Sequence, residues 1–257
     1  MLTIKNLTIY AGETQLLEIP DLTFYPGQIT TIVGESGSGK TLTFRALAQL
    51  SAPELQVSGQ ITYDGLDIAD LSAEDLRTFR QESLFVIFQD AFASFSPSTK
   101  VGQQLYQFCE PQGARSQTAF VKRLTPILED LGLLRTVLDQ YPYQLSGGML
   151  QRTFLAIGIY RQAPWLLADE PTSGVDLDTQ SQFLDLLVEM RKRDGQSTVL
   201  ITHDIDVVRQ VADRVVVMLD GQVVEVASKD QIFESSQHHY TRQLLLSSFK
   251  KWEDAHG

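Results

Sequence analysis

The N-terminal part of the chain alternates apolar and polar residues. Apolar side chains fall near every second position over 2–9, and the alternation returns over 22–24 after a polar break. A period of two is expected of strands with one buried face. A turn-forming sequence at 25–28 then leads into a β-branched run at 29–33, which we predict to be a further strand.

Strands and helices alternate in the rest of the chain, except for a long helical block in its middle. The predicted elements are a helix at 41–50, a hairpin turning at Asp64-Gly65, strands at 84–88, 165–168 and 199–202, helical spacing from about 90 to 162, a helix at 177–193, a hairpin at 215–226 and two helical pieces at 229–250. Such alternation predicts a parallel sheet with helical crossovers. We therefore predict an α/β fold with an inserted helical subdomain.

Composition narrows the class of protein. With 257 residues, 43% hydrophobic and 21% charged, the chain is expected to be globular with a large core. Its apolar runs are shorter than the roughly 20 residues of a membrane span, and its start lacks a signal-peptide pattern, so we expect a cytoplasmic location. The net charge of −11 argues against a general nucleic-acid binder. The single cysteine, Cys109, is interpreted as a small buried hydrophobe.

The sequence at 34–41, Gly-Glu-Ser-Gly-Ser-Gly-Lys-Thr, fills every fixed position of a phosphate-binding loop. A predicted strand enters it and a predicted helix leaves it, which is the context that the motif needs; the alternative is a flexible Gly/Ser turn. We expect Lys40 to reach terminal phosphates as a point charge and the Thr41 hydroxyl to ligate Mg²⁺. Backbone N–H groups and the helix N-terminus would bind phosphate as well. The candidate phosphate-binding residues are Gly34, Ser36, Gly37, Ser38, Gly39, Lys40 and Thr41.

Two acids, Asp169 and Glu170, follow the apolar run at 165–168. Ligands of parallel sheets bind at the carboxyl ends of the strands, so both acids are expected near the phosphate loop. Asp169 is the candidate Mg²⁺ ligand, and Glu170 the candidate base that polarises the attacking water. A solvated strand end before a proline turn is the alternative, and the presence of a phosphate loop makes it the weaker one.

A third motif, Leu-Ser-Gly-Gly-Met at 145–149, precedes an amphipathic run and places Ser146, Gly147 and Gly148 at a predicted helix start. The order of phosphate loop, this motif and an apolar strand ending in Asp-Glu resembles the cassette of ABC ATPases over almost the entire chain. Gln89 and His203, each after a predicted strand, match the Q-loop glutamine and the switch histidine of that family. Residues 173–176 match its D-loop.

The resemblance implies specific roles for these residues. Gln89 and His203 join Glu170 as catalytic candidates, and Gln89 joins Thr41 and Asp169 as a candidate Mg²⁺ ligand. The signature residues 146–148 contact ATP across a dimer. Tyr10 matches the family's adenine-stacking aromatic loosely, and it could equally be a strand residue that packs in the core.

The fold implied by the resemblance is a P-loop NTPase ABC cassette with a RecA-like parallel-sheet core and an N-terminal antiparallel β-subdomain. It would form a single ABC ATPase domain over residues 1–257. Residues 1–89 and 163–226 make the nucleotide-binding core with the β-subdomain, residues 90–162 the helical subdomain with the signature loop, and residues 227–257 a C-terminal helical tail.

Local variants of the motifs resemble the peptide/nickel importer branch of ABC transporters. Met149 stands where many cassettes have glutamine, and the sequences at 95–97 and 239–245 match elements of that branch. The tail motif also explains the paired histidines at 238–239 better than a metal site does. The compact tail without cysteines looks most like the nickel-import ATPase subunits.

The resemblance implies an ATP-hydrolysing subunit of an importer for nickel, metal chelates or short peptides, at the cytoplasmic face of the cell membrane. Its expected partners are a second, homologous ATPase subunit, two transmembrane permease subunits and a substrate-binding protein, with no nucleic acid. The main alternative is an ABC ATPase that acts on a soluble macromolecular partner. It is disfavoured because the chain lacks a long coiled-coil insertion and carries a single cassette.

Overall fold

The computed structural model describes residues 1–88, 94–110, 113–173 and 176–256, with side chains up to residue 247. Its strands are β1 (Leu2–Ala11), β2 (Thr14–Phe24), β3 (Ile29–Val33), β4 (Leu55–Tyr63), β5 (Leu66–Asp67), β6 (Leu84–Ile87), β7 (Trp165–Asp169), β8 (Ser197–Ile201), β9 (Arg214–Leu219) and β10 (Gln222–Ser228). Its helices are α1 (Lys40–Leu47), α2 (Ala73–Glu82), α3 (Val101–Cys109), α4 (Gln117–Asp130), α5 (Gly147–Arg161), α6 (Leu177–Asp194), α7 (Ile205–Val211), α8 (Lys229–Ser235) and α9 (His239–His256). None of these helices is both long and apolar enough to span a membrane within the described residues.

The strands form one mixed sheet in the order β5-β4-β1-β2-β10-β9-β3-β8-β7-β6. Strands β9, β3, β8, β7 and β6 run parallel to one another, whereas β1, β2, β4 and β5 pair antiparallel. Strand β10 joins the two parts, because it pairs antiparallel with β9 and meets β2 at a single parallel pair, Gln222 with Glu18. This architecture is the ABC cassette α/β fold, and the predicted fold class is confirmed.

The central strands are covered on both faces. Every residue of β3, β7 and β8 is buried, as expected of parallel strands between helical layers. One apolar core lies between the sheet and the helical block, and it contains Phe85, Phe120 and Leu150. A second core packs the antiparallel strands against α1, and a third packs α7, α8 and α9 against β9. The phosphate loop therefore starts from a strand that is fixed on both sides.

Most predicted elements are present, with shifts at their ends. The helix predicted at 177–193 is α6, and it ends at Gly195 with a φ of 66° in the left-handed region, where glycine is favoured. The Asp64-Gly65 hairpin joins β4 to β5. The first predicted helix ends earlier, at Leu47, and the strand predicted over 84–88 ends at Ile87.

Two strands are longer than their sequences indicate. The polar break before residue 22 lies within β2, and β4 begins at Leu55 rather than near residue 60. Both extensions pair with β1, so hydrogen bonds along β1 extend strands whose side chains are largely exposed there. The predicted division into a core, a helical subdomain and a tail remains a prediction.

Candidate nucleotide-binding site

The phosphate loop connects β3 to α1 and depends on glycines in unusual backbone conformations. Gly34, Gly37 and Gly39 have φ values of 155°, 84° and 98°. A Cβ atom on Gly34 would lie 2.2 Å from the Met218 carbonyl oxygen, and one on Gly39 would lie 2.8 Å from Leu17 Cδ1. Glycine is required at residue 34 because the backbone of β9 approaches so closely, and it is favoured at residue 39 because other residues rarely adopt that φ. The strands therefore fix the path of the loop.

Lys40 is held against the loop that precedes it. Its side chain is 93% buried, and Nζ donates hydrogen bonds to the carbonyl oxygens of Gly34 at 2.9 Å and Glu35 at 2.7 Å. An ammonium group has three N–H donors, so these two bonds fix its orientation. Burial lowers the pKa of Lys40, while the nearby carboxylates of Glu170 and Asp169 oppose that change.

A cleft of 710 Å³ opens at the loop, which is within the usual size range of small-molecule sites. Its walls are formed by residues 34–37 and 39–42, by Glu170 and His203, and by Leu244 and Ser247 of α9. The structure thus brings most of the predicted loop residues together with the predicted base and the switch histidine. Ser38 is buried beneath this wall.

The donor set beside Lys40 fits a magnesium ion. Asp169 is the last residue of β7, is 94% buried and accepts a hydrogen bond from the Thr41 side chain. Burial raises the pKa of Asp169, and the Thr41 hydrogen bond acts in the opposite direction. A hydroxyl and a carboxylate are hard oxygen ligands, which Mg²⁺ prefers alongside water and substrate phosphates.

Glu170 adopts a backbone conformation that is rare outside glycine. Its φ is 46°, and its N–H donates to the Ile201 carbonyl oxygen at 2.9 Å. One carboxylate oxygen lies 2.9 Å from His203 Nδ1. An ionised carboxylate can only accept hydrogen bonds, so the imidazole is the donor to it through Nδ1. The side chain of His203 is mostly exposed, with 67% of its surface accessible.

Other predicted residues lie apart from the cleft. Ser146 caps α5, where its Oγ accepts a hydrogen bond from the Met149 N–H at 3.2 Å, and neither it nor Gly147 nor Gly148 lines the cleft wall. Tyr10 lies near the end of β1, and its hydroxyl donates to Gln15 Oε1 at 3.1 Å. Gln89 and the two middle residues of the predicted D-loop lie outside the described residues.

The tail contributes residues that the motifs did not identify as part of the site. Leu244 and Ser247 line the cleft, and the Tyr240 hydroxyl accepts a hydrogen bond from the Glu35 N–H at 2.9 Å. The motif at 239–245 identifies this segment in the sequence but does not indicate where it lies in the fold.

Cys109 is partly buried in the helical core, where burial raises the pKa of its thiol to about 12, in line with a packing role. Within the described part of the chain, no cluster of three or more His, Cys, Asp or Glu side chains could hold a metal, and this includes His238 and His239.

Comparisons with known proteins show the family of the chain. A family model described as "ABC transporter" matches residues 17–173. The metal-staphylopine import system ATP-binding protein CntD of Staphylococcus aureus is 34% identical over 99% of this chain and 95% of its own length. The oligopeptide transport ATP-binding protein OppD of Bacillus subtilis is 37% identical over 96% of this chain and 71% of its own length.

Solved structures show the same fold. The dimeric ATP-binding cassette MJ0796, in a post-hydrolysis state bound to ADP and Pi, has a TM-score of 0.80 and 28% identity, and the match covers 89% of this chain and 99% of that one. A cassette of Clostridium perfringens, cbiO1 of the cbiONQ transporter complex, has a TM-score of 0.76 at 29% identity over 91% of this chain and 90% of that one. The chain belongs to the ABC transporter family. It is an ATPase of that family, which hydrolyses ATP to ADP and phosphate.

Proposed function

We propose that this chain powers an importer for metal chelates or short peptides by hydrolysing ATP in the cleft at the phosphate loop. The observation that carries the proposal is the cleft itself, where Lys40, Glu170 and His203 share one wall. Relatives named for metal-staphylopine, oligopeptide and dipeptide transport support the two substrate classes.

The proposed roles of the site residues combine their positions with the resemblance to ABC ATPases. Lys40 binds the terminal phosphates of ATP, and the backbone N–H groups around Gly37 and Gly39 bind the remaining oxygens. Thr41 and Asp169 would hold Mg²⁺, with Gln89 as a further ligand; the ion supplies positive charge that neutralises the triphosphate. Tyr10 lies on the antiparallel strand β1 and is partly exposed, and it is the candidate for stacking on adenine.

Glu170 polarises the attacking water as the general base. Its left-handed backbone turns the side chain out of the strand direction and into the cleft, beside His203. The hydrogen bond with His203 Nδ1 restricts the orientation of the carboxylate. This arrangement orients the base before ATP is bound.

A complete site requires a second cassette. The signature residues 146–148 do not line the cleft of their own chain. In our proposal they contact the ATP that is bound by a partner chain. Support comes from the dimeric cassette whose structure matches this chain. The proposed partner is a different, homologous ATPase subunit. ATP binding would favour the closed dimer and hydrolysis the open one.

A second groove is the proposed contact with the membrane subunits. It has a volume of 780 Å³ and lies between α2 and β6 on one side and α3 and α5 on the other. Phe88 and Phe108 are exposed along it, with 40% and 49% of their surfaces accessible. Exposed aromatic side chains suit a short amphipathic helix from a permease. Through such a contact the chain would lie at the cytoplasmic face of the cell membrane, below two permeases and a substrate-binding protein.

The transported substrate is proposed more narrowly from the relatives. The relative named for metal-staphylopine import supports a metal chelate, of nickel or another metal, as the substrate. We propose to extract the native complex through a tag on this chain, to reconstitute it with its binding protein, and to measure ATP hydrolysis.

The expected result is stimulation by metal chelates and not by short peptides. Stimulation by peptides alone would contradict the substrate class but keep the mechanism. If no membrane subunit were recovered with the tag, importer function would be contradicted, and an ATPase acting on a soluble macromolecule would take its place.

A further inference from the structure

The C-terminal helix is joined to the phosphate loop by one hydrogen bond. Tyr240 lies in the first turn of α9, and its hydroxyl accepts the N–H of Glu35 at 2.9 Å. The two residues are separated by 205 positions in the sequence. Tyr240 is 94% buried, so this bond is shielded from water that could replace it.

The peptide group of Glu35 connects this bond to Lys40. The Glu35 N–H, which is held by Tyr240, belongs to the Gly34–Glu35 peptide group. The Glu35 carbonyl oxygen belongs to the next peptide group, and it accepts hydrogen bonds from Lys40 Nζ at 2.7 Å and from the Ser38 N–H at 3.2 Å. A peptide unit is planar and rigid, so fixing the N–H at residue 35 restricts the position of the preceding carbonyl, that of Gly34. That carbonyl is the second acceptor of Lys40 Nζ. Tyr240 therefore acts on the ammonium group through the loop backbone.

The helix that carries Tyr240 is itself fixed. The Glu225 carboxylate on β10 accepts the N–H groups of Gln237 at 2.7 Å and His238 at 3.2 Å, just before α9 begins. Tyr240 and Leu245 pack in the same core as Val33, the last residue of β3 before the loop. One and two turns further on, Leu244 and Ser247 form part of the cleft wall. A tyrosine on a fixed helix can restrain a loop, whereas one on a mobile tail could not.

We propose that Tyr240 is a positioning residue for ATP hydrolysis, which holds the Glu35 peptide so that Lys40 is oriented for the phosphates before ATP binds. Tyr240 does not touch the reacting atoms. The inference rests on the proposed role of the cleft and extends it to the tail, which the sequence motifs did not connect with nucleotide.

The test is Tyr240→Phe, which removes the hydroxyl and keeps the ring. We expect the KM for ATP and the Kd of a non-hydrolysable ATP analogue to rise about three- to tenfold, the effect of losing one hydrogen bond, with kcat within about twofold of the parent in the assembled complex. The melting temperature should change little. Tyr106→Phe is the matched control, because the Tyr106 hydroxyl also bonds a backbone group, the Arg115 carbonyl oxygen at 2.7 Å, but in the helical block.

Unchanged KM and Kd in Tyr240→Phe would overturn the proposal. So would equal losses of affinity in Tyr240→Phe and Tyr106→Phe, or a loss that appears only with a matching fall in melting temperature, since each indicates general packing. Tyr240→Ala extends the test and should raise KM further. Lys40→Ala separates the two ideas: if it too left the Kd unchanged, the proposed function of the cleft would fail, not only the role of Tyr240.

Discussion

At the scale of single residues, the two neighbouring acids have different environments. Asp169 ends a buried strand and contacts Thr41, whereas Glu170 leaves the strand with a left-handed backbone and meets His203. The change of conformation between them separates a candidate metal ligand from a candidate base. Backbone strain at Glu170 is retained because its N–H is fixed to the neighbouring strand β8 at Ile201.

Glu170→Gln should keep ATP binding and nearly abolish turnover. The amide has a similar shape but cannot accept the proton of the attacking water, and general-base catalysis contributes roughly 10²- to 10⁴-fold. We expect kcat in the assembled complex to fall by about that factor, with the Kd of ATP within a few-fold of the parent. Steady-state hydrolysis and equilibrium binding would check both. Hydrolysis at the parent rate would contradict the base assignment.

Lys40→Ala should instead weaken the binding of ATP. The change removes a buried cation whose two hydrogen bonds aim it at the cleft, so affinity for the charged phosphates is lost with it. A charge-assisted hydrogen bond contributes about 1.5–3 kcal/mol, which corresponds to roughly 10- to 150-fold in the Kd of ATP. Titration with a fluorescent ATP analogue measures this directly. An unchanged Kd would show that the loop does not bind phosphate through this lysine.

At the scale of elements, sequence patterns predict most of the sheet but not the path of the tail. The glycine loop, the β-branched strands and the Asp64-Gly65 turn are local signals, because each depends on residues that are adjacent in the chain. The tail was predicted as two helical pieces, which α8 and α9 confirm. That α9 reaches Glu35 depends on a contact between distant residues, which periodicity cannot indicate.

The helical block contains a buried charge that links three helices. Glu110 follows α3, and its carboxylate accepts hydrogen bonds from Tyr160 of α5 at 2.7 Å and from Arg115, just before α4, at 2.9 Å. Burial opposes ionisation of Glu110, but these hydrogen bonds outweigh it and hold the pKa below the ordinary value of 4.5. A carboxyl whose pKa is lower in the folded state stabilises the fold above its unfolded pKa. That contribution is lost as the pH falls through the folded value.

Glu110→Gln should therefore destabilise the protein at pH 7 and do so less in acid. A buried partner left unsatisfied costs about 1–3 kcal/mol in the free energy of unfolding. We expect that loss by urea unfolding at pH 7, and a smaller difference from the parent as the pH falls below about 4.5, the ordinary glutamate range. Glu129→Gln, on the exposed face of α4, is the control and should change stability little. A difference that did not depend on pH would contradict the assignment to the Glu110 charge.

At the scale of the whole molecule, the signature residues do not line the cleft of their own chain. The phosphate loop, Glu170 and His203 share one cleft, while the signature residues at the start of α5 lie outside it. The sequence motifs identify both the phosphate loop and the signature residues, but they do not show that the two lie apart in one chain. Their separation follows from the fold, because α5 belongs to the helical block and the loop to the sheet.

This division provides a test of the partner subunit. One variant of this chain carries Lys40→Ala, which disables its phosphate loop, and another carries Ser146→Arg, which blocks its signature. If two copies of this chain formed the dimer, a mixed dimer would contain one intact site, made by the loop of the second variant and the signature of the first. Because we propose a different homologous partner, we expect no recovery of hydrolysis when the purified variants are mixed.

The outcome separates the two kinds of dimer. Each variant alone, and an equimolar mixture, would be assayed beside the unmodified chain at equal total concentration. If dimers form at random, a quarter of the sites in the mixture are intact, so a homodimer predicts about a quarter of the hydrolysis rate of the unmodified chain. Such recovery would contradict a dedicated partner and establish a homodimer. A control shows whether an absence of recovery is informative: each variant is also assembled with the native second subunit and compared with the unmodified complex. There Lys40→Ala should disrupt the site that contains the phosphate loop of this chain. Ser146→Arg should disrupt the site that contains the phosphate loop of the partner.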